Sequence, residues 1–176
     1  MFLFKRKSLS YRSVLFVCTA NVTRSASAEG MFRDLADRNS AERWDVASAG
    51  VKAHKGSGPN PPIKVRLMEC YKIFIDNHRS QPITSKLFKR YYWIIVMERA
   101  HKEAIIKQYP DVKDRVHVLR EFGQSVPPSE PDMPDPTGED KTEGYRELLA
   151  IFEEEIPRIF QVLQYRVDDL KGQENG

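Results

Sequence analysis

The chain carries the sequence VLFVCTANVTRSASAE at residues 14–29, in which an apolar run is followed by a short polar loop and a helix-like pattern. The run VLFVC at 14–18 contains no charged side chain, which is typical of a strand buried on both faces of a parallel sheet. After Ser25 the apolar residues recur at the three- and four-residue spacing of an amphipathic helix. The stretch therefore predicts a strand, a loop and a helix in direct succession.

The rest of the chain alternates between the same two patterns. Strand patterns recur at residues 44–49, 92–97 and 116–119, and helix patterns cover residues 25–38, 61–76, 84–90, 98–109 and 142–170. Strands that alternate with helices form parallel sheets that are covered on both faces. We therefore expect an α/β fold with a four-stranded parallel sheet and helices on both faces. Ligands of such sheets bind just past the carboxyl ends of the strands, which directs attention to the loop after the first strand.

Composition and charge favour one globular domain. The 176 residues are 40% hydrophobic and 30% charged, and no apolar run approaches the ~20 residues of a membrane span. Residues 1–13 hold four basic side chains and no acidic one, so the remainder of this chain of net charge +3 is nearly neutral. We expect a basic, flexible extension at 1–13, a single domain at 14–170 and a tail at 171–176. We also expect a cytoplasmic monomer or weak dimer, without a nucleic-acid partner or stable membrane anchor.

The loop from Cys18 to Arg24 has the composition of an anion cradle. Its backbone N–H groups and the N-terminus of the following helix point at one place and carry partial positive charge. Arg24 adds a planar fork that grips two phosphate oxygens, and the same field stabilises a thiolate at Cys18. Ser25 is placed either to cap the helix or to donate to that thiolate. The residues predicted to surround a phosphate are Thr19, Ala20, Asn21, Val22, Thr23 and Arg24.

A second element of the expected chemistry is an acid that protonates the leaving group of a phosphoester. Asp135 lies between two prolines in the long loop over residues 123–141, and long loops in compact domains often carry function. Asp132 and Glu139 lie in the same loop. The residue pattern alone therefore leaves the identity of the acid open.

Residues 14–29 resemble the signature of the low-molecular-weight protein tyrosine phosphatases, and PDPTG at 134–138 resembles their general-acid loop. The resemblance runs in order from about residue 14 to residue 163. It includes SAG at 48–50, HRSQPIT at 78–84 and YWIIVMERAHKEAI at 92–105.

This resemblance implies a two-step hydrolysis of a phosphorylated protein that needs no cofactor and no metal. Cys18 is the implied nucleophile and forms a cysteinyl-phosphate, while Arg24 and the loop amides bind the phosphate. Asp135 is the implied general acid and then the general base. The implied hydrogen-bonded support beneath the loop consists of Asn21, Ser25, Ser48 and His78.

The chain departs from the family pattern in the loop itself. Ala20 stands where the family usually has glycine, and its methyl group is expected to strain the loop if the position needs an unusual backbone angle. Thr23 stands where many members have a second cysteine that protects the nucleophile. The remaining cysteine, Cys70, is expected in the core of a helix.

The wall of the pocket also departs from the pattern. Members that act on phosphotyrosine have an aromatic residue after the Asp-Pro pair and another after the second strand. Thr137 and a position near His54 stand at these places, and neither offers a good stacking surface for a phenyl ring. Related phosphatases that act on phosphoarginine have threonine where this chain has Val22, which argues against that substrate.

Several alternatives to a protein tyrosine phosphatase remain. A protein arginine phosphatase of the same fold is one. A thiol-linked arsenate reductase has a similar fold, but its disulfide relay needs further cysteines, and only Cys70 is available. A catalytically silent phosphate-binding module is the third, with Ala20 as its mark.

Overall fold

The computed structural model describes residues 9–136 and 141–174, and its centre is a parallel sheet of four strands. The strands are β1 (Ser13–Cys18), β2 (Asp45–Gly50), β3 (Trp93–Val96) and β4 (Val116–Val118), in the spatial order β2-β1-β3-β4. The helices are α1 (Arg24–Asn39), α2 (Pro61–Arg66), α3 (Ser85–Phe88), α4 (Arg99–Gln108) and α5 (Lys141–Glu174). A π-helical turn, Leu67–Tyr71, continues α2, and a 3-10 turn, Pro110–Arg115, follows α4. The predicted four-stranded α/β fold is confirmed.

Each face of the sheet has its own core. Alternate residues of a strand point to opposite faces, so Phe16 of β1 packs on one side while its neighbour Leu15 packs on the other. The Phe16 side is covered by α1, α2 and α5, with Phe32 and Phe152 fully buried. The Leu15 side is covered by α3, α4 and the 3-10 turn, and includes Ile105. Both faces of β1 are therefore buried, as its unbroken apolar run predicts.

The ends of the domain lie beyond the predicted boundaries. β1 begins at Ser13, which pairs with Asp45, and the indole N–H of Trp93 donates to the Tyr11 carbonyl at 2.8 Å. The side chain of Arg12 pairs with Glu42 at 2.9 Å. The last residues of the predicted extension thus contact the domain, and residues 1–8 lie outside the described part. α5 continues to Glu174, past the predicted end at 170. No helix in the described ranges is long and apolar enough to cross a bilayer.

The predicted helix over 61–76 ends at Tyr71, five residues early. Lys72 adopts a left-handed conformation with φ 59°, and its N–H bonds to the carbonyls of the last turn, which terminates the helix. Ile73 and Ile75 then alternate into the core beneath Gly30, whose missing Cβ would lie 2.8 Å from Ile75. The helix prediction over 72–76 was wrong because Ile73 and Ile75 alternate as in an extended segment. Cys70 is exposed on this turn, so its expected place in a helix core is also wrong.

Candidate active site

Cys18 ends β1 at the carboxyl edge of the sheet, and its side chain is buried with 3% of the residue exposed. Its sulfur lies 3.0 Å from the Ser25 hydroxyl and accepts a hydrogen bond from the backbone amide of Asn21 at 3.3 Å. Of the two roles predicted for Ser25, the structure supports the contact with the sulfur. The sulfur thus has one backbone donor and one hydroxyl within hydrogen-bond distance.

Asn21 is fully buried and connects the loop to the rest of the domain. Its φ of 58° is left-handed, a conformation that asparagine tolerates better than most residues. Its side-chain nitrogen Nδ2 donates to the hydroxyls of Ser25 at 2.9 Å and Ser48 at 2.7 Å. Its side-chain oxygen accepts from the Gln81 amide at 2.9 Å, and its carbonyl lies 2.7 Å from Nε2 of His78. The structure thus brings the four predicted support residues together and adds Gln81.

Glu29 forms an outer layer of this support that the sequence analysis missed. Its carboxylate accepts from Ser48 and lies 3.7 Å from Nδ1 of His78. Burial alone would raise the pKa of Glu29, but the hydrogen bonds from His78 and Ser48 outweigh it and lower the pKa below the usual 4.5. Burial alone would lower the pKa of His78, but Glu29 and the Asn21 carbonyl outweigh it and raise the pKa above 6.5. Each partner thus favours the charged form of the other.

Arg24 opens α1, and its guanidinium lies between two carboxylates with only 3% of the side chain exposed. Nη1 pairs with Glu98 and also donates to the Met133 carbonyl at 3.3 Å. Nη2 lies 3.0 Å from the carboxylate of Asp135, which is 111 residues away in the chain. The sequence analysis missed Glu98. Its position directly after the third strand pattern, at the ligand-binding edge of the sheet, was the available signal.

The expected strain at Ala20 is wrong. Ala20 is exposed and has a negative φ. The residue of the loop that adopts the left-handed conformation is Asn21. The steric constraint lies instead at Gly50, at the end of β2. A Cβ there would stand 2.5 Å from the Thr19 carbonyl oxygen and 3.0 Å from the Asn21 amide. A side chain at position 50 would therefore displace the loop.

The other loop positions are held from the sides. The amide of Lys52 donates to the Thr19 carbonyl at 2.9 Å, and that of Asn60 donates to the Val22 carbonyl at 2.8 Å. The Thr23 carbonyl accepts the hydroxyl of Ser27 at 2.8 Å. Among the pocket-wall positions, His54 is exposed, whereas Thr137 lies outside the described residues. Within the described ranges, no group of three or more His, Cys, Asp or Glu is arranged to hold a metal ion.

Residues 13–169 match the family model described as low molecular weight phosphotyrosine protein phosphatase. The chain belongs to this family. It is similar to the protein-arginine-phosphatase of Bacillus subtilis (strain 168), with 34% identity over 125 residues, 71% of this chain and 79% of that protein. It is also similar to the probable low molecular weight protein-tyrosine-phosphatase EpsP of Ralstonia nicotianae, with 32% identity over 84% of this chain and 88% of that protein.

Solved structures show the same relationship. The YwlE arginine phosphatase from Geobacillus stearothermophilus aligns with a TM-score of 0.76 and 29% identity, covering 88% of this chain and 94% of that one. A low molecular weight protein tyrosine phosphatase from Bacillus subtilis aligns with a TM-score of 0.75 and 28% identity, covering 87% and 97%. The chain is thus a cysteine-dependent protein phosphatase, a phosphomonoester hydrolase that acts through a cysteinyl-phosphate intermediate.

Replacing Gly50→Ala tests the contact behind the loop. The added methyl group forces the Thr19 carbonyl to move, so we expect a stability loss of about 1–3 kcal/mol. Displacement of the phosphate site is expected to lower kcat/KM about 10- to 100-fold. Aryl phosphate hydrolysis and urea unfolding measure the two effects. Gly172→Ala on α5, where a Cβ meets nothing within 4 Å, is the matched control and should leave kcat/KM unchanged. Wild-type kinetics in Gly50→Ala would contradict the steric argument.

The ion pair between His78 and Glu29 predicts a pH-dependent stability. Because the folded-state pKa of His78 is raised, its contribution is fully present below pH 6.5 and is lost as the pH rises through that raised pKa. Glu29 stays ionised across this window because its pKa is lowered. In urea unfolding, His78→Gln should be less stable than wild type at pH 6, and the difference should shrink as the pH rises. A difference that is constant with pH would show that the charge on His78 does not stabilise the fold.

Proposed function

We propose that Cys18 is the nucleophile, that Arg24 and the loop amides bind the phosphate, and that Asp135 is the general acid and base. The observation that carries this proposal is the guanidinium of Arg24, which joins the phosphate loop to the Asp135 loop through its 3.0 Å contact with Asp135. A buried arginine fixed on the loop that holds the thiol defines where an anion binds. The carboxylate of Asp135, which is 45% exposed, is then at the rim, beside the leaving group.

The proposed reaction has two displacements at phosphorus. In the first, Sγ of Cys18 attacks in line, the bond to the leaving oxygen breaks, and Asp135 gives that oxygen its proton. Arg24 and the loop amides stabilise the charge on the three equatorial oxygens. In the second, water attacks the cysteinyl-phosphate and gives a proton to Asp135, and Cys18 departs as a thiolate. The Ser25 hydroxyl and the Asn21 amide receive that thiolate.

Asp132 and Glu139 were the other candidates for the acid. Asp132 accepts a hydrogen bond from the Arg99 amide at 2.7 Å, at the N-terminus of α4, which gives it a structural partner. Glu139 lies outside the described residues. Among the described carboxylates of this loop, Asp135 contacts Arg24, which supports its assignment as the acid.

The proposed substrate is a protein phosphorylated on a long side chain, with phosphotyrosine first and phosphoarginine as the alternative. Cys18 is 3% exposed, so the phosphate must extend well beyond the substrate backbone, which disfavours phosphoserine. Val22, partly exposed in the loop, presents an apolar side chain, which favours an aryl group over a guanidinium. The similarity to two proteins named arginine phosphatases keeps the alternative open.

The remaining alternatives have less support. Cys18 is buried at the end of β1 whereas Cys70 is exposed on the turn after α2, an arrangement that offers no thiol relay for an arsenate reductase. The silent binding module was based on Ala20, whose methyl group meets no backbone strain. A cytoplasmic location, a monomeric or weakly dimeric state, and the lack of a nucleic-acid partner or stable membrane anchor stay predictions.

Removing the acid tests the assigned chemistry. We expect Asp135→Asn to lower kcat on aryl phosphates by roughly 10²–10⁴-fold, because the leaving oxygen then departs unprotonated. Steady-state hydrolysis of p-nitrophenyl phosphate measures it, with Cys18→Ser as the inactive reference. Asp132→Asn is the matched control from the same loop and should retain kcat within a few-fold. A larger loss in Asp132→Asn than in Asp135→Asn would move the acid to Asp132.

Replacing Val22→Thr tests substrate choice. The wild type is expected to hydrolyse phosphotyrosyl peptides with the higher kcat/KM. A hydroxyl in place of a methyl group should raise the ratio of phosphoarginine to phosphotyrosine hydrolysis roughly tenfold, since one polar contact changes discrimination by that order. Val126→Thr, at an exposed position outside the phosphate loop 18–24, is the control. A wild type that prefers the phosphoarginyl peptide would favour the arginine phosphatase.

A further inference from the structure

His101 lies in the first turn of α4 and has no role in the two displacements, yet it is 3% exposed and faces the phosphate loop. Its Nε2 lies 2.9 Å from the hydroxyl oxygen of Thr19. Its Nδ1 is buried and has no hydrogen-bond partner among the described residues. A buried imidazole with one nitrogen on the loop and the other unpartnered calls for a physical account.

The unpartnered nitrogen assigns the tautomer. A neutral imidazole carries one hydrogen, on either Nδ1 or Nε2. A hydrogen on Nδ1 would leave a buried N–H group without an acceptor, whereas a bare Nδ1 leaves only an acceptor unsatisfied, which is the less costly state. The hydrogen therefore belongs on Nε2, which donates to Thr19. Burial lowers the pKa of His101 and so favours this neutral form.

The charges around His101 are consistent with a neutral ring. Glu98 Oε1 lies 3.7 Å from Nε2, but the same oxygen is already paired with Nη1 of Arg24. The positive charge of Arg24 opposes a second cation at His101, whereas Glu98, Asp132 and Asp135 favour one. The single charge of Arg24 offsets one of the two carboxylates that contact it, and burial, the largest effect on His101, still lowers its pKa.

Thr19 links the histidine to the arginine. Its hydroxyl oxygen also accepts from Nη2 of Arg24 at 3.2 Å. With one lone pair for each donor, this oxygen is held between a fixed ring and the guanidinium. The contact of Nη2 with Asp135 reaches a side chain that must move protons during turnover, whereas the contact with Thr19 belongs to the loop itself. Thr19 and Glu98 therefore fix the guanidinium plane independently of the acid.

We propose that His101 is a positioning residue for Arg24, which it orients by donating its Nε2 hydrogen to the Thr19 hydroxyl. The inference rests on the proposed function in one respect, namely that Arg24 binds the phosphate. The chemistry asked of position 101 is a neutral N–H donor at a fixed place, without proton transfer. A side chain that supplies such a donor should replace histidine, and one that only fills the space should not.

The test compares shape with hydrogen bonding at both ends of the contact. His101→Leu and Thr19→Val remove the hydrogen bond, whereas His101→Gln and Thr19→Ser keep a donor and an acceptor in place. The probe is competitive inhibition of p-nitrophenyl phosphate hydrolysis by inorganic phosphate. We expect His101→Leu to raise the inhibition constant about tenfold, the order of the effect of losing one hydrogen bond, and Thr19→Val to raise it at least as much because it also removes the contact with Arg24. His101→Gln and Thr19→Ser should stay within about threefold of wild type.

The double variant decides whether the two residues act as one unit. His101→Leu combined with Thr19→Val should weaken phosphate inhibition no more than Thr19→Val alone, because His101 acts through the hydroxyl that Thr19→Val removes. His117→Leu removes a half-buried imidazole in β4, which packs on Trp93 and Phe122 instead, and should leave the inhibition constant unchanged. Thermal unfolding establishes that each variant is folded.

Two results would overturn the proposal. One is a double variant whose inhibition constant rises by the product of the two single increases. The other is an inhibition constant for His101→Gln as high as that for His101→Leu, which would leave His101 only a packing role. Arg24→Lys separates this failure from that of the proposed function. If inorganic phosphate inhibits Arg24→Lys as strongly as it inhibits the wild type, Arg24 is not the phosphate ligand and both proposals fail. If it loses phosphate inhibition while His101→Leu does not, only the positioning role is wrong.

Discussion

The buried guanidinium of Arg24 is the group on which the arrangement of the site depends. A charge with 3% of its side chain exposed is costly unless carboxylates pair with it, and Glu98 and Asp135 supply that pairing. Glu98 follows β3 and Asp135 comes from the loop before α5, so the ion pairs join three separate parts of the chain. A bound phosphate would add negative charge to this cluster, and the Asp135 contact, which is the more exposed one, is the contact free to rearrange.

The loop is held from below by a second, largely neutral network. Asn21 adopts the left-handed conformation that turns the chain, and its side chain and carbonyl contact four other residues. Gly50 leaves room for that turn, since any Cβ at this position would meet the loop backbone. The loop therefore has its shape before a phosphate arrives, which is the condition for electrostatic stabilisation of a transition state without reorganisation.

Local features of the chain were predictable and contacts between distant segments were not. The buried strand β1 and the loop after it follow from an apolar run and a polar one, and the sheet follows from their repetition. The pairing of Arg24 with Asp135 spans 111 residues, and the predicted roles of the two residues did not include it. Glu98 and His101 precede or begin a helix, where such residues usually serve as caps. The available signal for Glu98 was its position directly after a strand pattern, and His101 had none. Ala20 was misjudged because the pattern does not say which loop residue takes the left-handed angle, although asparagine was the better candidate.

The central claim is that Cys18 carries the phosphate during turnover, and trapping that intermediate tests it most directly. Wild-type protein mixed with excess aryl phosphate and quenched in acid within milliseconds should yield a peptide containing Cys18 with one added phosphate group, detected by mass spectrometry. Phosphate on another residue, or turnover without any phosphorylated enzyme, would contradict the account.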